Sequence, residues 1–334
     1  MGPIVSALIS VVLGLGVSFL IFWLLNWIVE KTNDKTKARL LPYVFLLPVI
    51  VLVAVFLLYP ALRTFVESFM KQSQRRGEGA TFVGFDNYVS LFTDPNFISV
   101  LINNALWVLV VPAATVLVGL LVAILTDRLG KRREQSFKAM IFIPMAISGI
   151  AAAVTWRFIY FYAPPGNPQI YLLNAIWTGV TGQDPIPWLT IDAARVNSFL
   201  LMFIVIWLQV GFAMVLLSAA IKGVPEETIE AARLDGASER KTFFLVIVPQ
   251  IRGTVLAVFV TVTIFVMKSF DIIYAMTQGG PGTASETINI YLYNVAFSYY
   301  DVGYGSAIAV VFFIIIIIMS LVLLHLRQRS RWNA

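Results

Sequence analysis

Apolar residues along this 334-residue chain gather into long blocks at 5–29, 41–59, 101–126, 139–162, 197–222, 254–276 and 305–326, not into a period-two alternation. At 1.5 Å rise per residue, roughly 18 to 20 apolar residues span the hydrocarbon of a bilayer, so each block predicts one membrane-crossing helix. The fold class expected is an all-α polytopic membrane protein with about seven transmembrane helices. The seventh block is the clearest, because Ile314 to Ile318 is an unbroken isoleucine run without a charge between Ala307 and Leu324. The first block could be a secretory signal. Its apolar run exceeds a usual signal core, no basic residue precedes it, and no small-x-small cleavage site follows, so an uncleaved spanning helix is expected.

Lysine and arginine set the orientation, since short basic loops stay on the cytoplasmic side. Most of the 24 basic residues fall after the first, third and fifth blocks and in the tail: Lys31 to Arg39, Arg128 to Lys138, Lys222 to Arg252, and Arg327, Arg329 and Arg331. The N-terminus is therefore expected outside and the C-terminus inside. Arg75 and Arg76 sit on the other side, in a loop long enough to tolerate them. The net charge of +6 is accounted for by orientation and lipid headgroups and calls for no nucleic-acid partner.

Composition removes several chemistries. Hydrophobic residues make up 59% of the chain and charged residues 13%. There is no cysteine, hence no disulfide and no thiolate nucleophile, and no catalytic residue or metal ligand set is assigned. The single histidine, His325, ends the last apolar block, where interfacial residues collect.

The loops differ in character. Residues 60–100 mix polar and aromatic residues and could pack as a small cap. Residues 163–196 carry Pro164, Pro165, Pro168, Pro185 and Pro187, which exclude long regular elements. Tyr171, Trp177 and Trp188 there either dock a partner or belong to the interfacial aromatic belt. The loop between the fifth and sixth blocks reads as a helix-turn-helix. Pro225 suits a first helical turn, Glu226 and Glu227 favour the positive end of the helix dipole, and Gly236 stops the helix. Ser238 caps a second helix, which Pro249 is expected to limit. Ala231 and Ala232 would let the backbone approach a receiving groove, with Glu230 and Asp235 as fixed charges beside them.

The stretch Glu230-Ala231-Ala232-Arg233-Leu234-Asp235-Gly236-Ala237, closed by Ile247-Val248-Pro249, resembles the cytoplasmic coupling loop of importers powered by ATP-binding cassettes. Two further segments resemble the sugar permeases of that class, the binding-protein-dependent, maltose-transporter type: Phe270-Asp271-Ile272-Ile273-Tyr274 with Thr277-Gln278-Gly279-Gly280-Pro281-Gly282 and Glu286-Thr287, and Val83-Gly84-Phe85-Asp86-Asn87-Tyr88. Alpha-glucoside and disaccharide systems look closest. The resemblance covers roughly residues 40–330 and implies a six-helix importer core at 41–334, with its coupling loop at 223–253, preceded by one additional helix and its connector in 1–40.

The resemblance also implies a permease subunit that imports carbohydrate by alternating access and resides in a bacterial cytoplasmic (inner) membrane. Its partners would be a second homologous permease, two ATP-binding cassette ATPases and an extracytoplasmic sugar-binding protein. ATP and Mg would be bound by the ATPases, in keeping with the lack of a Gly-x-x-x-x-Gly-Lys-Ser/Thr loop in this chain. Glu230, Ala231, Ala232, Arg233, Asp235, Gly236 and Ala237 would take the ATPase-coupling role. Substrate-binding positions carried over from the maltose-type permease are Gln209 and Phe212 in the fifth block, and Val262, Phe265, Val266 and Ser269 in the sixth. Val262 and Val266 depart from the polar residues found there in that permease, so either the partner permease holds most of the sugar or the pocket reads a different one. Lys268 and Asp271, three apart on one helical face, are expected to form an internal salt bridge or an interface contact, with a direct role in sugar binding or gating as the alternative. A secondary sugar transporter driven by an ion gradient is the alternative reading, and it would need intramembrane carboxylates beyond Asp271.

Overall fold

The computed structural model describes residues 3–71 and 79–332; side chains at most positions before 19 and at all positions after 325 lie outside the description, as do Arg75 and Arg76 and the three tail arginines. The chain forms two compact units, residues 1–67 and 68–334.

The first unit is a helical hairpin. Helix α1 (Pro3–Glu30) turns through residues 31–33 into α2 (Asp34–Val53), and Phe22 meets Phe45 with ring centroids 5.2 Å apart. Helix α2 starts at Asp34, earlier than the apolar block, and continues through a π-helical turn (Ala54–Leu58) into α3 (Tyr59–Glu67). The wide turn ends two residues before Pro60. A proline lacks the N–H that the ladder needs, and an i→i+5 turn accommodates the loss without ending the helix.

The second unit opens with a two-residue hairpin pairing Met70–Lys71 (β1) with Thr81–Phe82 (β2), followed by α4 (Asp86–Thr93). Asn87 Nδ2 donates to the Ser68 and Met70 carbonyls at 2.9 Å, which fastens this cap to the chain before it. Helix α5 (Pro95–Asp127) then crosses, starting at the Asp94 cap well before residue 101. It is packed against α9 (Val196–Lys222), the most buried of the long helices, and α12 (Val248–Met267) lies against both. Trp107, Leu201, Met214 and Val258 are fully buried where the three meet. The last helix, α15 (Val302–Trp332), closes a second core with Phe97, Ile288 and Ile308.

Among the described residues, five helices are long and apolar enough to cross a bilayer, six if one bent pair counts as a span, and α1 adds a 28-residue apolar helix; about seven spans is compatible with this. The bent pair replaces the straight helix expected at 139–162. Helix α6 (Lys131–Phe142) and α7 (Gly149–Tyr160) meet at 102°, across a 3₁₀ turn containing Pro144, with Ser148 capping α7. Just before the bend α6 passes close to α9: a Cβ at Gly211 would stand 2.5 Å from the Ile141 carbonyl oxygen. Only glycine lets α6 pass there.

The proline-rich segment 163–196 holds one short helix, α8 (Leu172–Thr181), between its prolines. Asn174 organises it, donating to the Phe161 and Ile186 carbonyls and accepting from Trp188 Nε1. Trp177 packs edge-on against Trp188, so these aromatics hold the loop together.

Candidate functional site

The sequence 225–247 builds its helix-turn-helix from local rules. Helix α10 (Glu226–Leu234) carries Glu226 and Glu227 in its first turn and Arg233 in its last, each at the dipole end that favours its charge. Gly236 then takes φ +80°, with its N–H donating to the Arg233 carbonyl while the Ala237 N–H donates to the Ala232 carbonyl, both at 3.0 Å. That pair of bonds is the Schellman closure, which needs a left-handed residue at the glycine position. Ser238 starts α11 (Glu239–Thr242) by accepting from the Lys241 N–H.

Pro249 does not stop this second helix. A π-helical turn (Phe243–Ile247) absorbs the missing donor, and one continuous 29-residue helix runs from Glu239 to Met267. The second helix of the loop and the membrane-crossing helix are thus one continuous helix.

Of the coupling residues expected from sequence, Glu230, Ala231, Arg233, Asp235 and Gly236 are exposed, and Ala232 and Ala237 half-buried. Arg233 is engaged within the loop, its guanidinium holding the Glu239 carboxylate at 3.0 Å and bracing α10 against α11. Both groups are well hydrated, so the pair contributes at most about 1 kcal/mol. Leu234 is absent from the expected set, yet it is 88% exposed, more than any other large apolar side chain among the described residues. Its signal in the sequence is a leucine between Arg233 and Asp235 on an otherwise polar helix end. Behind the loop, Ile229, Phe243 and Ile247 line a cavity of about 400 Å³ with Ile124 and Ile221.

A charge cluster fixes the helix ends around this loop. Lys138 on α6 contacts Asp127 at the end of α5 at 2.5 Å and Glu134 at 2.7 Å, and also reaches the Ser218 hydroxyl on α9. Ser218 donates to Asp127 at 2.7 Å, and Lys222 closes on Glu134. Two acids and two lysines balance one another, which is what partly buried charges require.

The sugar positions expected in α9 and α12 divide by accessibility. Val262 is fully buried and Val266 nearly so, both within the core that α12 shares with α5 and α9. Gln209 and Ser269 are also buried, Phe212 is half-buried, and Phe265 is 40% exposed on the α12 surface. The Lys268–Asp271 pair does not form. Helix α12 ends at Met267, and α13 (Asp271–Thr277) starts after a non-helical Phe270, so the helical spacing that would bring them together is absent. Asp271 instead lies against Gly149 at the start of α7. Asn289 bridges the break by donating to the Met267 carbonyl at 2.9 Å and the Ser269 carbonyl at 3.3 Å.

At the far end of α12 from the loop, residues 278–287 are pinned by a buried polar chain. Trp107 Nε1 donates to Ser198 Oγ at 2.9 Å, Ser198 to Asn103 Oδ1 at 2.7 Å, and Asn103 Nδ2 to the Glu286 carbonyl at 2.8 Å. Asn197 Nδ2 reaches the Gly280 carbonyl and Arg195 reaches Ser99. Glu286 itself is buried, which raises its carboxyl from 4.5 to about 7 even though Asn294 Nδ2 donates to it.

Residues 115–332 match the family described as binding-protein-dependent transport system inner membrane component. The alpha-glucoside transport system permease protein AglF of Rhizobium meliloti is 40% identical over 349 aligned residues, covering 99% of this chain and 98% of that protein. The osmoprotective compounds uptake permease protein GgtC of Synechocystis sp. is 42% identical over 82% of this chain and 94% of its own length. A bacterial alginate ABC transporter, solved in complex with an alginate pentasaccharide-bound periplasmic protein, contains a chain with the same fold, at TM-score 0.70 and 20% identity, covering 89% of this chain and 96% of that one.

Proposed function

The chain belongs to the binding-protein-dependent transport system inner membrane components, multi-pass permeases of ABC sugar importers, and from that premise we propose that it carries alpha-glucosides or related disaccharides inward, driven by partner ATPases through the 225–247 loop. The observation that carries the coupling role is the exposed end of α10 at Leu234 to Gly236, closed by its Schellman turn and followed directly by the helix Glu239–Met267 that contains α12. Closure of an ATPase dimer would push on Glu230, Ala231, Ala232, Asp235, Gly236 and Ala237. The push would pass along a single helix toward Phe265 and the break at Lys268.

In this reading the N-terminus is outside and the C-terminus cytoplasmic, as the basic loops indicate. A second homologous permease completes the path, two ATPases bind ATP and Mg, and an external sugar-binding protein delivers the substrate. Phe212 and Phe265 have apolar surface available to stack on a sugar, with the buried Gln209, Ser269, Val262 and Val266 forming the wall behind them.

The absence of native cysteine makes a direct test possible. A single cysteine at Leu234 should cross-link to a cysteine scanned across the co-purified ATPase, in a pattern that changes when ATP is added. Failure at every scanned position would count against the assignment.

A further inference from the structure

A cavity of about 640 Å³ opens at the end of the bundle remote from the 225–247 loop. Its size falls within the range of small-molecule sites. The walls come from three places: Gln278 and Glu286 from the 278–287 segment, Asn294 and Tyr299 from the π-helical turn at Asn294–Ser298 and its cap, and Asn96 from the first turn of α5. The segment is built for this shape, since Gln278 holds φ +52° and the buried polar chain from Trp107 fixes the Glu286 backbone. Tyr291 and Tyr304, which both line the cavity, direct their hydroxyls to Asp94, at 2.6 and 3.4 Å, and Tyr299 offers an exposed ring beside them.

The lining contains amides, hydroxyls, phenol rings and two carboxyl groups, Glu286 and Asp301, but no lysine, arginine or histidine. Nothing there would neutralise a uronate, sulfate or phosphate. Among the described residues, no group of three His, Cys, Asp or Glu could hold a metal ion. Amides and carboxyls beside ring faces match the vicinal hydroxyls and apolar faces of an uncharged pyranoside. The burial that keeps Glu286 protonated up to near neutrality also lets it donate as well as accept, which suits a neutral ligand better than a cation.

We propose that this cavity is a second carbohydrate site, for a neutral saccharide of about disaccharide size, separate from the Phe212 and Phe265 positions. It rests on the reading of the chain as a sugar permease. Its place in transport would be capture at the mouth, before the sugar reaches the path between the permeases.

Among the described residues, the side chains of Asn96 and Tyr299 make no hydrogen bond within the chain, and Tyr299 is 61% exposed, so both can be removed without disturbing the fold. The test uses the purified complex without its external binding protein, in nanodiscs, with equilibrium dialysis of radiolabelled maltose, trehalose and sucrose. At least one should be retained, with about tenfold weaker affinity in Asn96→Ala and in Tyr299→Ala, equivalent to about 1.4 kcal/mol. Retention of none, retention that survives both outer substitutions, or retention of tetramethylammonium in place of sugar would overturn the proposal. Uptake by the same complex with its binding protein is measured in parallel. Absent uptake counts against the permease reading, whereas normal uptake with no outer-site effect counts against the outer site alone.

Discussion

The Ala237 amide donates to the Ala232 carbonyl at 3.0 Å across Gly236, whose φ of +80° makes that bond possible. A non-glycine residue in the left-handed region costs roughly 1–2 kcal/mol, and a β-branched one more. Gly236→Val should therefore open the turn, with the chain still inserted at normal abundance and ATP-driven uptake reduced by at least tenfold. Quantitative membrane blots beside uptake assays check both halves.

The buried chain from Trp107 through Ser198 and Asn103 to Glu286 is a structural tie between α5, α9 and the 278–287 segment. Asn103→Leu leaves the Glu286 carbonyl without its Asn103 donor and Ser198 Oγ without its acceptor, at about 1–3 kcal/mol for each stranded group. Thermal unfolding of the purified complex should shift down by several degrees, and Asn103→Asp should not restore it, because the carboxylate lacks the donor that the Glu286 carbonyl needs.

Removing Lys138 leaves Asp127 and Glu134 facing each other with only Lys222 as compensation. Lys138→Met is expected to destabilise by about 2 kcal/mol, discounted from the fully buried case because these side chains retain some exposure. High salt should not rescue it, and the double variant Lys138→Met, Glu134→Gln should recover part of the loss in the same unfolding assay.

Glu286 gives a pH signature. Its folded-state carboxyl titrates near 7, above the ordinary 4.5, because burial disfavours the charged form. A raised carboxyl pKa means that the folded state holds the proton more tightly, so this group's contribution to stability is fully present below about 4.5 and is lost as pH rises toward 7. Unfolding temperature measured from pH 5 to 8 should fall over the lower part of that range and level off above 7. Glu286→Gln should flatten the slope.

The spans and the turn at Gly236 were legible because each rests on local chemistry: uninterrupted apolar runs, acids in the first turn of α10, and a glycine at its end. What escaped was decided by tertiary packing. The 102° bend between α6 and α7 comes beside a close pass over Gly211 in a different helix, and the carbonyls freed at the split between α12 and α13 are met by Asn289, far on in the sequence. Pro249 misled in the other direction, since a π-helical turn let the helix continue where proline usually marks a stop. Side-chain direction was also hidden: Val262 and Val266 share a helix with Phe265, but the first two face the chain's own core.

The most direct measurement is ATP hydrolysis by the complex that co-purifies with this chain, reconstituted with its external binding protein and challenged with neutral mono-, di- and oligosaccharides. Stimulation of at least severalfold by an alpha-linked disaccharide, lost in Gly236→Val, is the predicted result. Sugar uptake that persists without ATP and collapses when the ion gradient is dissipated would contradict it.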